Sequence, residues 1–293
     1  MSGAVLPLVE AEASLPARRT ISRAVLADPA TLACCVFLLL VVLVAVFAPL
    51  VAPEDPLAQS VLRANQAPSA AHWVGTDKFG RDILSRIIFG ARTSLLLGLI
   101  APVLAGIVGT LLGVAAGYFG GWVDRVTGRV VDLFLAFPAV LLGITVAAAL
   151  GAGFGQLIAT LTIAFAPRFA RIARASSLAI RNEPYVDASL LAGLGHWRIM
   201  VRHLLPNIVG PLIVVLTLEV ASAIRLEATL SFLGLGTQPP QPSWGNIIRD
   251  GLGNMFGSAW PVVAAGFAIT ATTLAVTVLG DRIRDVLDPD TRE

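Results

Sequence analysis

YVDASLLAGLGHWRIMVRHLLPN, residues 185–207, interrupts a chain otherwise built from long runs of Leu, Val, Ala, Ile and Gly. Here the composition turns half polar, with Asp187, His196, Arg198, Arg202 and His203, and it ends in Leu205-Pro206 before apolar sequence resumes. Local chemistry predicts a helix, a turn and a second helix. Asn182 is a candidate N-cap, and Pro184 falls in the first turn, where a missing N–H does no harm. Asp187 suits the positive end of a helix dipole. Gly193 is a candidate left-handed cap. A second short helix is expected through HWRIMVRH, and Pro206 is expected to reset the chain. The stretch holds no nucleophile–base pair, no metal-ligand cluster and no phosphate loop, so it reads as a docking surface.

The surrounding sequence belongs in a bilayer. The 293 residues are 56% hydrophobic and 14% charged, with a mean hydropathy of +0.81; soluble domains carry about 25% charged residues. A soluble fold has no place to hide this much apolar surface. A net charge of +2 is too small to point to nucleic acid. Cys34 and Cys35 are adjacent inside an apolar run and read as small packing residues rather than a disulfide framework.

The expected fold is an all-α membrane protein of six transmembrane helices, at about 30–52, 93–118, 127–150, 155–175, 207–228 and 259–280. Residues 1–29 form an N-terminal segment, residues 30–293 the membrane domain, and the polar insert occupies about 182–206. The first apolar run exceeds the ~7–15 residues of a signal-peptide core and reads as a retained span. Gly109, Gly113 and Gly117 recur every four residues in the second span, a pattern that lets helix backbones approach closely.

Charge sets the orientation. With the N-terminus inside, Arg18, Arg19, Arg23, Arg125, Arg129, Arg168, Arg171, Arg174, Arg181, Arg198, Arg202, Arg282, Arg284 and Arg292 face the cytoplasm, against seven basic residues elsewhere. Both termini and the polar insert are therefore expected inside. Arg168, Arg171 and Arg174 share a helix face, either reaching lipid headgroups or forming a positive rim for a partner.

Asp132, Glu219, Arg225, Glu227 and Asp281 are ionisable residues within or near the spans and invite a functional reading, Asp132 and Asp281 less so because they fall near cytoplasmic ends. Glu219, near the middle of the fifth span, either lines a path and meets a peptide amino terminus or pairs with Arg225. The Pro- and Gly-rich stretch 230–251, LSFLGLGTQPPQPSWGNIIRDG, is expected as a rigid outer loop or re-entrant scoop, since consecutive prolines break helices. Its Trp244 is expected at the membrane interface, beside the path or in a cap over the bundle.

The insert resembles the cytoplasmic EAA loop of bacterial ABC importer permeases: Asp187-Ala188-Ser189, then Gly193, then Leu205-Pro206 stand at matching spacing. It departs by Asp for Glu, Ser for the second Ala and His203 for Ile. Residues 72–98, HWVGTDKFGRDILSRIIFGARTSLLLG, and 230–251 are similar to segments of the C-type permeases of dipeptide, oligopeptide and nickel importers. The resemblance covers nearly the whole chain beyond roughly the first 25 residues.

It implies an ATP-driven importer subunit with no chemistry of its own. Tyr185, Asp187, Ala188, Ser189, Gly193, Leu205 and Pro206 become the ATPase-coupling loop; Glu219 and Trp244 become candidates for the path. The implied partners are a second, homologous permease, two ATP-binding subunits that hold ATP and Mg, an extracytoplasmic substrate-binding protein, and membrane lipid. No catalytic residue, cofactor or metal is expected on this chain, which lacks G-x-x-x-x-G-K-[ST]. Peptides are the expected cargo, with nickel or another small solute as the alternative. An ion-driven secondary transporter would require inverted repeats around a mid-membrane ion site, and an intramembrane enzyme would require a nucleophile–base pair at depth. Neither pattern is visible.

Overall fold

The computed structural model describes residues 28–287; Arg18, Arg19, Arg23 and Arg292 lie outside the described residues. Within them the regular elements are helices: α1 (Pro29–Val46), α2 (Ala48–Val51), α3 (Ile83–Phe119), α4 (Gly121–Leu135), α5 (Ala139–Leu150), α6 (Phe154–Arg181), α7 (Pro184–Leu191), α8 (His196–Phe232), α9 (Trp244–Leu252) and α10 (Trp260–Leu287). Asp28 caps α1, accepting from the Thr31 hydroxyl at 2.6 Å and the Thr31 N–H at 2.9 Å. Those bonds, the hydroxyl's first, hold its carboxyl below the usual range.

Four helices, α1, α3, α8 and α10, are long and apolar enough to cross a membrane, and the α4–α5 pair makes a fifth if taken as one span. The expected third span is therefore broken, with α4 and α5 meeting at 98°. Pro138 explains the break: it fixes its own φ and disfavours helix at Phe137. The expected fourth span falls on α6, which is not among those four helices; its C-terminal half carries Arg168, Arg171, Arg174 and Arg181. It packs against α3, α4, α5 and α8, so protein covers much of a helix too polar to face lipid all round.

Two other boundaries move. The second span was expected from residue 93, but α3 starts at Ile83, because its first turns bury polar side chains in protein rather than lipid. The fifth was expected to start after Pro206, yet α8 runs unbroken from His196 through a π-helical turn at Met200–Leu204. The Leu205 N–H reaches back five residues to Met200 O. Pro206 has no N–H to continue the ordinary ladder, and a wide turn at this point accommodates it.

The core is the α3–α6 pair. A methyl group on Gly109 would lie 2.3 Å from Ala166 O, one on Gly113 2.3 Å from Ala170 O, and one on Gly117 2.6 Å from Ser177 Cβ. The small-residue stripe thus sets backbone-to-backbone contact over two turns of α3. Around it, Leu97, Leu157, Leu161, Phe165, Phe169 and Leu230 close a buried apolar cluster.

Candidate functional site

The insert forms the expected helix and turn, with one change at its start. Asn182 ends α6; Glu183 is the residue before α7, with Pro184 at the first helical position. Gly193 adopts φ +79°. Its N–H donates to Leu190 O at 2.9 Å, and the Leu194 N–H donates to Ser189 O at 3.1 Å. This paired closure caps α7 and requires a left-handed residue. The chain then enters α8 directly.

Apolar anchors fix this corner to the spans. Val186 of α7 and Ile199, Leu204 and Ile208 of α8 are buried with Val114 and Tyr118 of α3 and Ala173 of α6. The Tyr118 hydroxyl and His196 Nδ1 are 2.8 Å apart in a hydrogen bond. The opposite side is open: Leu191 is 89% exposed, Trp197 66% and Tyr185 42%. Asp187, Ala188, Gly193 and Pro206 are exposed beside them, whereas Ser189 and Leu205 are half-buried. Exposed apolar side chains, together with the exposed Arg198 and Arg202, thus stand on a corner anchored from behind, a combination that marks interaction surfaces.

The second polar feature runs along α6. Arg168 Nη1 donates to Glu219 Oε1 of α8 at 2.7 Å, and Arg171 Nη2 donates to Asp132 Oδ1 of α4 at 2.9 Å. Arg174 grips Asp124 of α4 with two N–H groups, Nη2 at 2.8 Å from Oδ2. The expected positive rim is therefore neutralised: each guanidinium has a carboxylate from another helix. Glu219 is buried and pairs with Arg168, not Arg225, which donates to Ser222. Trp244 is packed inside the protein rather than presented to lipid. It is 1% exposed at the start of α9, and its indole N–H donates to Ile87 O of α3 at 3.1 Å, because the scoop folds down onto the bundle.

Residues 109–293 match the family model described as the binding-protein-dependent transport system inner membrane component. Residues 19–68 match the N-terminal TM domain of oligopeptide transport permease C. The chain belongs to the binding-protein-dependent inner membrane permease family. It is 41% identical over 248 residues to the dipeptide transport system permease protein DppC of Alkalihalophilus pseudofirmus, covering 85% of this chain and 82% of the relative. It is 36% identical over 289 residues to the glutathione transport system permease protein GsiD of Pectobacterium atrosepticum, covering 98% and 95%. A chain of the MetNI methionine ABC transporter, in an inward facing form, shares the fold: TM-score 0.56 at 18% identity, over 69% of this chain and 96% of that one. The permease is thus a multi-pass membrane protein and a transport subunit.

Two networks of the permease join partners that the sequence did not disclose. In the first, Asp77 Oδ2 accepts from Arg81 Nε at 2.7 Å and Arg86 Nη1 at 3.2 Å, and both arginines also reach Asp250 of α9, at 3.1 and 3.3 Å. This network clamps the segment before α3 to the scoop. Beside it, His72 Nδ1–H donates to Asp82 at 3.1 Å, and Asp82 caps α3 through Ser85. In the second, buried Glu227 accepts from Ser231 at 2.7 Å and from Ser94 of α3 at 3.0 Å. The Ser94 oxygen accepts in turn from the Trp244 N–H at 3.3 Å. The only sequence signal was the density of charges in TDKFGRD and a Glu inside a span.

Proposed function

We propose that this permease forms half of the translocation path of an ATP-driven peptide importer, paired with a second, homologous permease. Two ATP-binding subunits, which hold ATP and Mg, dock one on the α7–α8 corner of this chain and one on the corresponding loop of the second permease, and an extracytoplasmic binding protein delivers cargo on the opposite side. Both termini and the corner lie in the cytoplasm, in keeping with the distribution of arginines. Peptide cargo is supported by the similarity to dipeptide and glutathione transport permeases.

The observation that carries the reading is the continuity of α8. The docking corner and Glu219 lie on one helix, roughly 35 Å apart at 1.5 Å per residue. Displacement of Leu191 and Trp197 by a moving ATPase is transmitted through the buried anchors to the middle of the bundle. Tyr185, Asp187, Ala188, Ser189, Gly193, Leu205 and Pro206 belong to this coupling element.

The complete importer in proteoliposomes tests it. Uptake of labelled di- and tripeptides should require ATP and the binding protein. Uptake driven by a proton or sodium gradient without ATP would instead establish the ion-driven reading.

A further inference from the structure

Arg168 and Glu219 meet at mid-depth. Phe154 to Arg168 and Glu219 to Phe232 each span about 20 Å of helix, measured from the end of the bundle opposite the docking corner. Glu219 is 4% exposed. One carboxylate oxygen accepts from Arg168; the other, Oε2, is buried with no hydrogen-bond partner in the chain. The Arg168 side chain is 44% exposed. Both residues line an open cavity with Arg171 on its rim and Leu135, Val215 and Leu218 on its wall. Leu135 is the last residue of α4, so the cavity lies beside the α4–α5 break.

A buried carboxylate oxygen without a donor is costly, and a guanidinium has five donors, of which Glu219 occupies one. The cavity therefore offers an unmatched anionic acceptor and unmatched cationic donors a few ångströms apart, against an apolar wall. A peptide with free termini carries the complementary set: an ammonium, a carboxylate and side chains between them. We propose that Arg168 and Glu219 form a cargo-binding subsite that holds the charged termini of a zwitterionic peptide, Glu219 taking the ammonium and Arg168 the carboxylate. When cargo is absent the two residues neutralise each other. Arg171 remains occupied by Asp132, which leaves Arg168 as the cation of the subsite.

This inference rests on the peptide-importer reading. Its test uses the complete importer in proteoliposomes, with labelled alanine di- and tripeptides as probes. ATP hydrolysis stimulated by the loaded binding protein reports assembly and coupling, and peptide moved per ATP reports the subsite. In Glu219→Gln and Arg168→Gln, stimulated hydrolysis should persist while peptide moved per ATP falls about ten-fold or more, the scale of one charged hydrogen bond. The double variant Arg168→Glu, Glu219→Arg keeps an ion pair but exchanges its buried and open members, and it should stay impaired. Wild-type yield per ATP in both single variants, or full recovery in the exchanged pair, would overturn the subsite and leave the pair as helix packing. A wild-type importer that moves no peptide would overturn the peptide reading itself, and the subsite with it.

Discussion

Gly113→Leu should abolish the folded permease. The position admits no side chain: a Cβ there would stand 2.3 Å from the Ala170 carbonyl oxygen and 2.7 Å from the Ala173 Cβ, whereas comfortable contact between heavy atoms needs about 3.5–4 Å. The obstacle is the backbone of α6, so no rotamer change relieves it, and α3 and α6 must separate along their whole contact. Overpacking ordinarily costs about 1–3 kcal/mol. Here separation also opens the cluster around Phe165 and Phe169, so the loss should exceed that range. Gly266 of α10 has nothing within 4 Å of its Cβ position, and Gly266→Leu serves as the control. Size-exclusion chromatography of the detergent-solubilised chain should show a monodisperse peak for wild type and Gly266→Leu and aggregate for Gly113→Leu. A monodisperse Gly113→Leu peak with an unchanged melting temperature would show that α3 and α6 are not in backbone contact.

The second large effect is expected at Asp77. This carboxylate accepts from the Arg81 and Phe79 backbone N–H groups and from the Arg81 and Arg86 guanidiniums. Those two arginines are 8% and 4% exposed at their side chains. Asp77→Ala leaves two buried guanidiniums sharing Asp250 alone. Removing one partner of a buried ion pair costs about 3–5 kcal/mol, and Asp77 serves two such pairs. The segment from residue 53 to 82, extracytoplasmic in the proposed orientation, should detach from α9 and become sensitive to protease added to spheroplasts. Adding Arg81→Met and Arg86→Met should restore much of the resistance, since replacing a whole buried pair by apolar residues is close to neutral. Unchanged resistance in Asp77→Ala would mean that the clamp does not hold the segment.

Local chemistry was legible in the sequence and long-range pairing was not. Gly193 announced a left-handed turn because that requirement lies within one residue, and the glycines at 109, 113 and 117 announced a packing face because their period is local to α3. The partners of Arg168, Arg171 and Arg174 stand 51, 39 and 50 residues away. No spacing rule connects such residues, so the arginines read as a bare positive face. Boundaries failed where polarity and secondary structure part company. Ser85 and Arg86 lie before the apolar run that begins near residue 93, yet they are helical and buried in protein. Pro206 looked like a break, yet the π turn before it carries the helix through. The apolar run 127–150 contains Pro138, which divides α4 from α5. The α7–α8 corner was singled out by its motif, but its rigidity shows only in the buried side of Val186, Ile199, Leu204 and Ile208.

The central claim is that the α7–α8 corner is the surface an ATPase grips. Co-purification of the assembled complex tests it most directly, comparing wild type with Leu191→Glu and Gly193→Arg. Leu191 is 89% exposed and Gly193 has open space around its Cβ position, so neither side chain disturbs the bundle. Gly193→Arg also strains a left-handed turn by about 1–2 kcal/mol, which Leu191→Glu does not, so agreement between the two assigns the effect to the surface. The account predicts that ATP-binding subunits co-purify with wild type and are lost from both variants while the second permease stays bound. Retention of the ATP-binding subunits by both variants at wild-type stoichiometry would contradict it and place their docking surface elsewhere on the chain.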